Sequence, residues 1–449
     1  GQGLYDLNVN MIVAPLQNST FNKAKSDLKY IEACALGLPI ACQDLCTYEN
    51  APIKFTTGDE MIDQINNTLK DRKRYKSICK KASQYAETRW LEDDKNIDSG
   101  VSYRNIYYDA RERCVNLFTW DEDGKRIKVT ASYDPYLYIE SGNGDAESIF
   151  GTKLVKKTFR TQYERYKYIK DTGVKRVFDN LPATQQYLVD TFWKSNETPE
   201  FSQHPIKVLF VDIETYSPDE FPNPQDPTHT CNVITVYDSI NDEFITFGLN
   251  EFNNKDDDVT YIHCLNEHDL FKRFVEYIEK DYPDIISGWN SEFFDLPYII
   301  NRCERLLGEE WRNRLSPSGK VYSRSIKGQF GADQVRWYIE GISLIDYLDV
   351  YKRFTPGVKE SYKLDAIGAA ELGEKKVDFG NMNLATLADK DWQTFVEYNI
   401  QDVRLLKKLE EKLKYTELIK MLAYVGLTSF EAALGSLSVI NGVTAVTAR

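Results

Sequence analysis

Two carboxylates close an apolar run in the stretch KVLFVDIETYSPDEF, residues 207–221: Asp212 and Glu214, set two apart. In an extended strand, residues two apart point the same way. The two acids therefore share a face, while Val211 and Ile213 turn to the other. Neighbouring carboxylates at the end of a buried run repel one another unless a cation lies between them. Pro218 and the PNPQDP that follows end the strand and open a loop. Acid pairs at this spacing also arise by chance, so their chemistry depends on what else is brought to them.

Two further segments carry acids in comparable settings. In IISGWNSEFFDLPYIINRCERLL, residues 285–307, a strand is expected to end at Ser287-Gly288 and a helix to begin around Asp295. Asp295 reads either as a helix cap, ahead of Pro297 in the first turn, or as a third acid of a site. Trp289, Phe293 and Phe294 surround Asn290; aromatics beside an amide suit unstacked bases, and they also suit an ordinary core, which is the simpler reading. In WQTFVEYNIQDVRLLKKLEEKL, residues 392–413, helical spacing sets Phe395, Tyr398, Asp402, Leu405, Leu409 and Leu413 on one stripe. A carboxylate in an apolar seam is either a structural Asp bonded to an arginine or a backbone amide, or a metal ligand at the edge of a cleft with the tyrosine beside it.

Together the three segments supply four acids and a phenol on regular elements of one α/β unit. An all-oxygen set of this kind suits hard divalent cations, Mg²⁺ or Mn²⁺, and not zinc. Two such ions roughly 3.5–4 Å apart serve a phosphodiester displacement by holding both the attacking and the leaving oxygen.

FVDIET, GWNSEFFDLPY and YNIQDVRLL, in this order, resemble the three exonuclease motifs of family B DNA polymerases, especially those of tailed phages. The intervening GISLIDYLDVYKRF and SYKLDAIGAAELG are similar to that group as well, and the likeness runs from about Val101 to Arg449. It implies an RNase H-like fold and a DEDD-type 3′→5′ exonuclease. It places Asp212 and Glu214 in the first motif, Asp295 in the second, and Tyr398 with Asp402 in the third. The mechanism implied has Asp212, Glu214 and Asp402 holding one ion, Asp212 touching a second, Asp295 steadying that second ion through its water shell, and Tyr398 orienting the attacking water. Asn290 and Phe294 become candidates for gripping a frayed 3′ end. The direction of digestion comes from the resemblance and not from the spacing of the acids.

The rest of the chain fits around this unit. With 449 residues, 42% hydrophobic and 28% charged, it has the composition of an ordinary globular protein with several cores. The expected fold is multi-domain α/β: residues 1–95 a partial Rossmann-like α/β segment, 101–200 an α+β polymerase N-terminal domain, 201–420 the exonuclease domain, and 421–449 a return to the N-terminal domain. The polar LEDDKNIDSG at 91–100 reads as a linker. The formal net charge of −13 is unevenly spread: 13 Lys+Arg face 14 Asp+Glu in residues 1–100, 16 face 15 in 101–200, and 27 face 40 beyond. Acidity gathered there means a solvated surface or carboxylates collected for cations.

Within the second domain KLVKKTFRTQYERYKYIK, residues 153–170, has seven basic residues and one acid, interleaved with aromatics. Lys156, Lys157 and Arg160 are its candidates for single-stranded DNA; a solvated helix with an aromatic core face is the alternative. Eight scattered cysteines without a C-x-x-C pair argue against zinc and a disulfide scaffold and fit a reducing cytoplasm, the host cell's if the gene is a phage's. No membrane-length apolar run and no leader precede or interrupt these elements, and the opening Gly1 is read as a processed or cut terminus.

Neither S-L-Y-P-S nor D-T-D occurs, so the chain alone is not expected to polymerise DNA. A split polymerase or a fragment is expected, partnered by a palm-bearing chain, primer-template DNA and replisome factors. FNKAKSDLKYIEACALGLPIACQD resembles the sugar-nucleotide half of GT-B glycosyltransferases, with Lys25, Ser26 and Glu32 at the matching positions. Two other classes follow from these features: a DNA-holding polymerase scaffold, and a glycosyltransferase with a nucleic-acid-binding appendage.

Overall fold

The computed structural model describes residues 12–14, 40–43, 53–78, 80, 103–121, 124–148, 151–192, 204–218, 220–327, 333–373 and 384–447. The chain divides into two compact units, residues 1–98 with 352–359 and residues 99–351 with 360–449. In the first unit, strands β1 (Ile12–Ala14), β2 (Ile40–Gln43) and β3 (Ile53–Phe55) pair in parallel in that order. Helix α1 (Gly58–Lys70) is capped by Thr57, whose hydroxyl accepts from the Glu60 amide at 3.2 Å. Glu60 in turn accepts from the Thr56 amide, which completes a capping box one residue out of phase.

The second unit opens with two small antiparallel sheets. One runs β4 (Asn105–Asp109), β5 (Cys114–Trp120), β6 (Arg126–Ser132). The other contains β7 (Tyr136–Glu140), β8 (Ala146–Glu147), β9 (Lys153–Thr158) and β10 (Val177–Phe178), ordered β10-β7-β9-β8. Helices α2 (Gln162–Thr172) and α3 (Ala183–Phe192) pack with them. One of the seven basic residues of 153–170 serves the fold: Arg165 is buried and donates to the carbonyls of Tyr136 and Leu181.

A six-stranded mixed sheet follows: β11 (Val208–Tyr216), β12 (Thr230–Asp238), β13 (Glu243–Gly248), β14 (Val259–His263), β15 (Ile285–Gly288) and β18 (Ser343–Asp346), ordered β14-β13-β12-β11-β15-β18. β11 is antiparallel to β12, while β11, β15 and β18 run in parallel. A hairpin of β16 (Val321–Lys327) and β17 (Asp333–Ile339) precedes the last strand. Helices α4 (Glu267–Lys280) and α5 (Asp295–Leu307) cover one face of the sheet, followed by the short α6 (Glu309–Asn313). α4 carries its apolar residues at 270, 271, 274, 275 and 278, the helical stripe that packing one side of a helix onto a sheet requires. They meet Leu209, Val211, Ile213, Ile234 and Val236 of the strands and Leu296, Ile299 and Ile300 of α5 in one core.

On the other side lie α7 (Tyr347–Phe354), α8 (Leu364–Leu372), α9 (Leu384–Lys390) and the long α10 (Trp392–Leu413). α10 spans the residues expected from the sequence, starting at Asp391, whose carboxylate accepts from the Thr394 amide, and ending at Lys414 with φ of 54°. Its buried face is wider than the expected stripe and takes in Val396, Asn399, Ile400, Val403 and Leu406. The helix is enclosed by the sheet on one side and by α8 and α9 on the other.

Helices α11 (Tyr415–Val425), α12 (Phe430–Ala433) and α13 (Ser436–Thr447) close the chain. They bond to the segment just before β4 and to α3: the Tyr103 hydroxyl donates to the carbonyls of Ala423 and Thr428, and Gln185 Nε2 donates to those of Gly426 and Ser438.

Candidate active site

The site lies where pairing between β11 and β15 stops. The two strands pair in parallel from Val208↔Ile285 to Phe210↔Ser287, and β11 continues alone on that edge. The acids thus sit toward the carboxyl end of a strand parallel to β15 and β18, the end of the strands at which open α/β sheets bind ligands. The alternation along β11 is the one its sequence dictates: Val211 and Ile213 are in the core, and Asp212 and Glu214 face the side that carries α10. A register shift between Glu214 and Thr215 marks a bulge at which the acid-bearing segment ends.

Asp295 reaches this strand from the other motif. It is the first residue of α5, not its cap; the cap position is Phe294, which makes no side-chain capping bond. The Asp295 carboxylate instead accepts from the backbone amide of Ile213 at 3.2 Å. Burial pushes its carboxyl up to about 7, with the charges of Asp346 and Asp402 adding to the rise and the Ile213 amide opposing it. That electrostatic influence puts Asp402 of α10 in the same neighbourhood. α10 is also tied directly to β11: Asn399 Nδ2 donates to Asp212 Oδ2 at 2.6 Å. Asn399 is fully buried, and its Oδ1 has no hydrogen-bond partner. Glu214 and Asp402 are buried, while Asp212 and Tyr398 are half-buried.

Segments about 80 and 190 residues apart thus meet around one strand end. Among the described residues, however, no group of three His, Cys, Asp or Glu side chains is drawn together closely enough to hold a metal ion. The donor chemistry still fits a hard divalent cation: the acids offer only oxygen, and the charges of Asp346 and Asp402 add to the burial that raises the Asp295 carboxyl. A closed three-carboxylate cage is what the arrangement lacks, with Asp212 engaged by an amide.

The aromatics of the second motif divide. Trp289 is half-buried, donates its indole N–H to the Tyr362 carbonyl and packs at a tilt against Tyr347 and Tyr351, so its ring is engaged within the fold. Phe294 is partly buried against the core and lies 5.3 Å, ring to ring, from Phe221. Phe293 and Phe221 are exposed, Phe221 to 82%. Asn290 is exposed and has a φ of 63°, in the left-handed region that Asn tolerates better than most residues.

Lys156, Lys157 and Arg160 lie on or just after β9, in a different sheet from the acids. All three are exposed; Lys156 Nζ sits 3.7 Å from the Tyr136 ring centre and Lys157 Nζ 3.9 Å from that of Tyr168. Lys25, Ser26 and Glu32 lie outside the described residues.

Three residues escape the sequence reading: Asn399, Phe221 and Asp346. Phe221 is a large apolar residue in a Pro-rich polar loop, a signal in itself. Asp346 ends the run ISLID just as Asp212 ends VLFVD. Its buried carboxylate accepts from three amides, those of Asn290 (3.1 Å), Glu292 (3.1 Å) and Leu348 (2.9 Å). Burial nevertheless pushes its carboxyl up to about 6.

Comparison with known proteins agrees with the resemblance to family B DNA polymerases. The DNA-directed DNA polymerase of Escherichia phage RB69 is 29% identical over 336 residues, which cover 68% of this chain and 36% of that protein. The DNA-directed DNA polymerase of Enterobacteria phage T4 is 26% identical over 353 residues, 72% of this chain and 38% of that protein. A DNA polymerase of Thermococcus litoralis is 27% identical over 337 residues, 66% of this chain and 18% of that protein. The chain therefore spans little more than a third of the length of the two phage relatives. These matches give no support to a glycosyltransferase-like segment at residues 1–95 or to a polymerase divided between two chains. The family model described as DNA polymerase family B, exonuclease domain, matches residues 180–367. Residues 180–367 are therefore a family B DNA polymerase exonuclease domain.

Proposed function

We propose that the site at the end of β11 removes nucleotides from the 3′ end of DNA, as the proofreading exonuclease of a polymerase. The observation that carries this reading is the meeting of the three motifs at one strand end: Asp295 on the Ile213 amide, and Asn399 of the Tyr398–Asp402 turn on Asp212. The sheet order, antiparallel β13-β12-β11 continued by the parallel β15 and β18, with β14 added in parallel beside β13, supports the RNase H-like form of the fold.

In this reading Asp212, Glu214 and Asp402 would hold Mg²⁺ or Mn²⁺, two ions in all, after Asp212 turns from Asn399. When bound, such ions supply Lewis acidity for hydrolysis of a phosphodiester. The chain's own residues do the rest. Tyr398, one turn before Asp402 on α10, orients the attacking water with its hydroxyl. Asp295 fixes the strand edge and contributes negative charge without leaving its amide. Asn290 and Phe294, with Phe221 beside it, hold the unstacked terminal nucleotides. The basic residues Lys156, Lys157 and Arg160 take phosphates of single-stranded DNA, where affinity falls with salt.

The test is a digest of 3′-labelled and 5′-labelled single-stranded oligonucleotides with Mg²⁺, with and without chelator, compared with Asp402→Asn. The expected outcome is immediate release of the 3′ label, a descending ladder from the 5′-labelled strand, and loss of both with chelator or the variant. An unshortened 5′-labelled strand, or shortening that persists in Asp402→Asn, would overturn the proposal.

A further inference from the structure

We infer that Asp346 is a positioning residue of this site: its carboxylate holds the turn 288–294, and through it Asn290 and Asp295, against the end of β11. The inference rests on the exonuclease reading above for its functional half, and on contacts alone for its structural half.

The turn leaves β15 at Gly288, whose partner across the sheet is Asp346 itself. It then doubles back so tightly that a Cβ at Gly288 would lie 2.6 Å from the Val211 carbonyl and 2.8 Å from Ser291 Cβ. Glycine is the residue this approach permits. Asn290 holds the left-handed backbone that reverses the chain, and Phe293 N donates to its carbonyl. The reversal aims the Asn290 and Glu292 amides inward at a point where no strand remains to accept from them. The Asp346 carboxylate meets both, one on each oxygen, and its Oδ1 also takes the Leu348 amide. Without this acceptor two partly buried amides would lose their partner, so this one side chain steadies the shape of the turn.

The next link is the functional one. Leu296 N donates to the Ser291 carbonyl, which couples the turn to the first turn of α5, and Asp295 reaches Ile213 from there. Displacing the turn therefore shifts Asp295 and Asn290 together. Glu292 has a second tether, its side chain paired with Arg336 of β17. That pair acts on the side chain and leaves the backbone bonds to Asp346 untouched, so it supplies an internal control.

The experiment compares wild type, Asp346→Asn and Glu292→Gln. Asparagine keeps the shape of the side chain but turns one acceptor into a donor that faces an N–H. Three measurements are made: kcat and KM for excision from a 3′-labelled single-stranded oligonucleotide, hydrogen exchange of the peptide spanning 288–295, and the urea midpoint. In Asp346→Asn, exchange at Asn290 and Glu292 should accelerate and kcat should fall on the order of 100-fold, the scale of a misplacement of about 1 Å. Glu292→Gln should leave exchange and kcat near wild type. If Asp346→Asn does not fold, Asp346→Ser, which leaves room for a water, takes its place.

A lower urea midpoint with wild-type kcat and KM would make Asp346 merely structural and overturn the inference. Unchanged exchange would overturn the clamp itself. Failure of the wild type to excise would sink the exonuclease reading instead, while the exchange arm still judges the clamp.

Discussion

Replacing Asp295 with Asn should make the protein more stable above neutral pH while abolishing excision. The carboxyl of Asp295 is pushed from an ordinary 3.8 to about 7, first by burial and then by Asp346 and Asp402. A folded-state value above the unfolded one means that the group favours folding fully only below about 3.8. The benefit is lost progressively as pH rises toward 7, because the folded state must then ionise a buried acid. The gap corresponds to roughly 4 kcal/mol at 1.36 kcal/mol per pH unit, and relaxation around the charge lowers the realised effect to about 2–4 kcal/mol. Asparagine cannot ionise, yet its carbonyl oxygen can still accept from the Ile213 amide. Urea unfolding in chelator at pH 4.5, 6 and 8 should therefore show the variant gaining on wild type from acid to alkaline pH, with most of the gain present by pH 8. Two parallel stability profiles would refute the reasoning, since they would mean that Asp295 is not ionising against a buried, negative surrounding.

Other outcomes follow from the same contacts. Asp212→Ala should abolish excision; it should not stabilise the fold, because it leaves the buried Asn399 amide without its acceptor, a loss of about 1–3 kcal/mol readable by urea titration. Tyr398→Phe should reduce excision less than Asp402→Asn in the same digest, since the acids are retained. Lys207→Met should destabilise the fold by about 3–5 kcal/mol at neutral pH, because Lys207 Nζ lies 2.9 Å from the fully buried Asp238. Burial tends to raise the Asp238 carboxyl, but Lys207 and the amides of Ile240 and Asn241 outweigh it and hold it below 3.8. The stabilisation is thus complete above that value and fades as pH falls through the lower folded one, so the two proteins should converge in acid.

Residue order alone determined much of the molecule. The alternation in VLFVDIETY dictated which side of β11 carries acids, and the apolar spacing of 392–413 dictated a helix of that length. Three acid-bearing motifs in one order carried the resemblance to family B polymerase exonucleases, whose family model matches residues 180–367. Both results depend on local periodicity, which is written in consecutive residues. What bonds to each acid is a different kind of fact. That Asp295 serves a strand amide and not its own helix, that Asn399 holds Asp212, and that Asp346 fills the turn between β15 and α5 depend on groups 50 to 190 residues away in the chain. Only the closing of the sheet brings those donors within hydrogen-bond reach, and only burial there makes each unpaired group unfavourable enough to fix its partner.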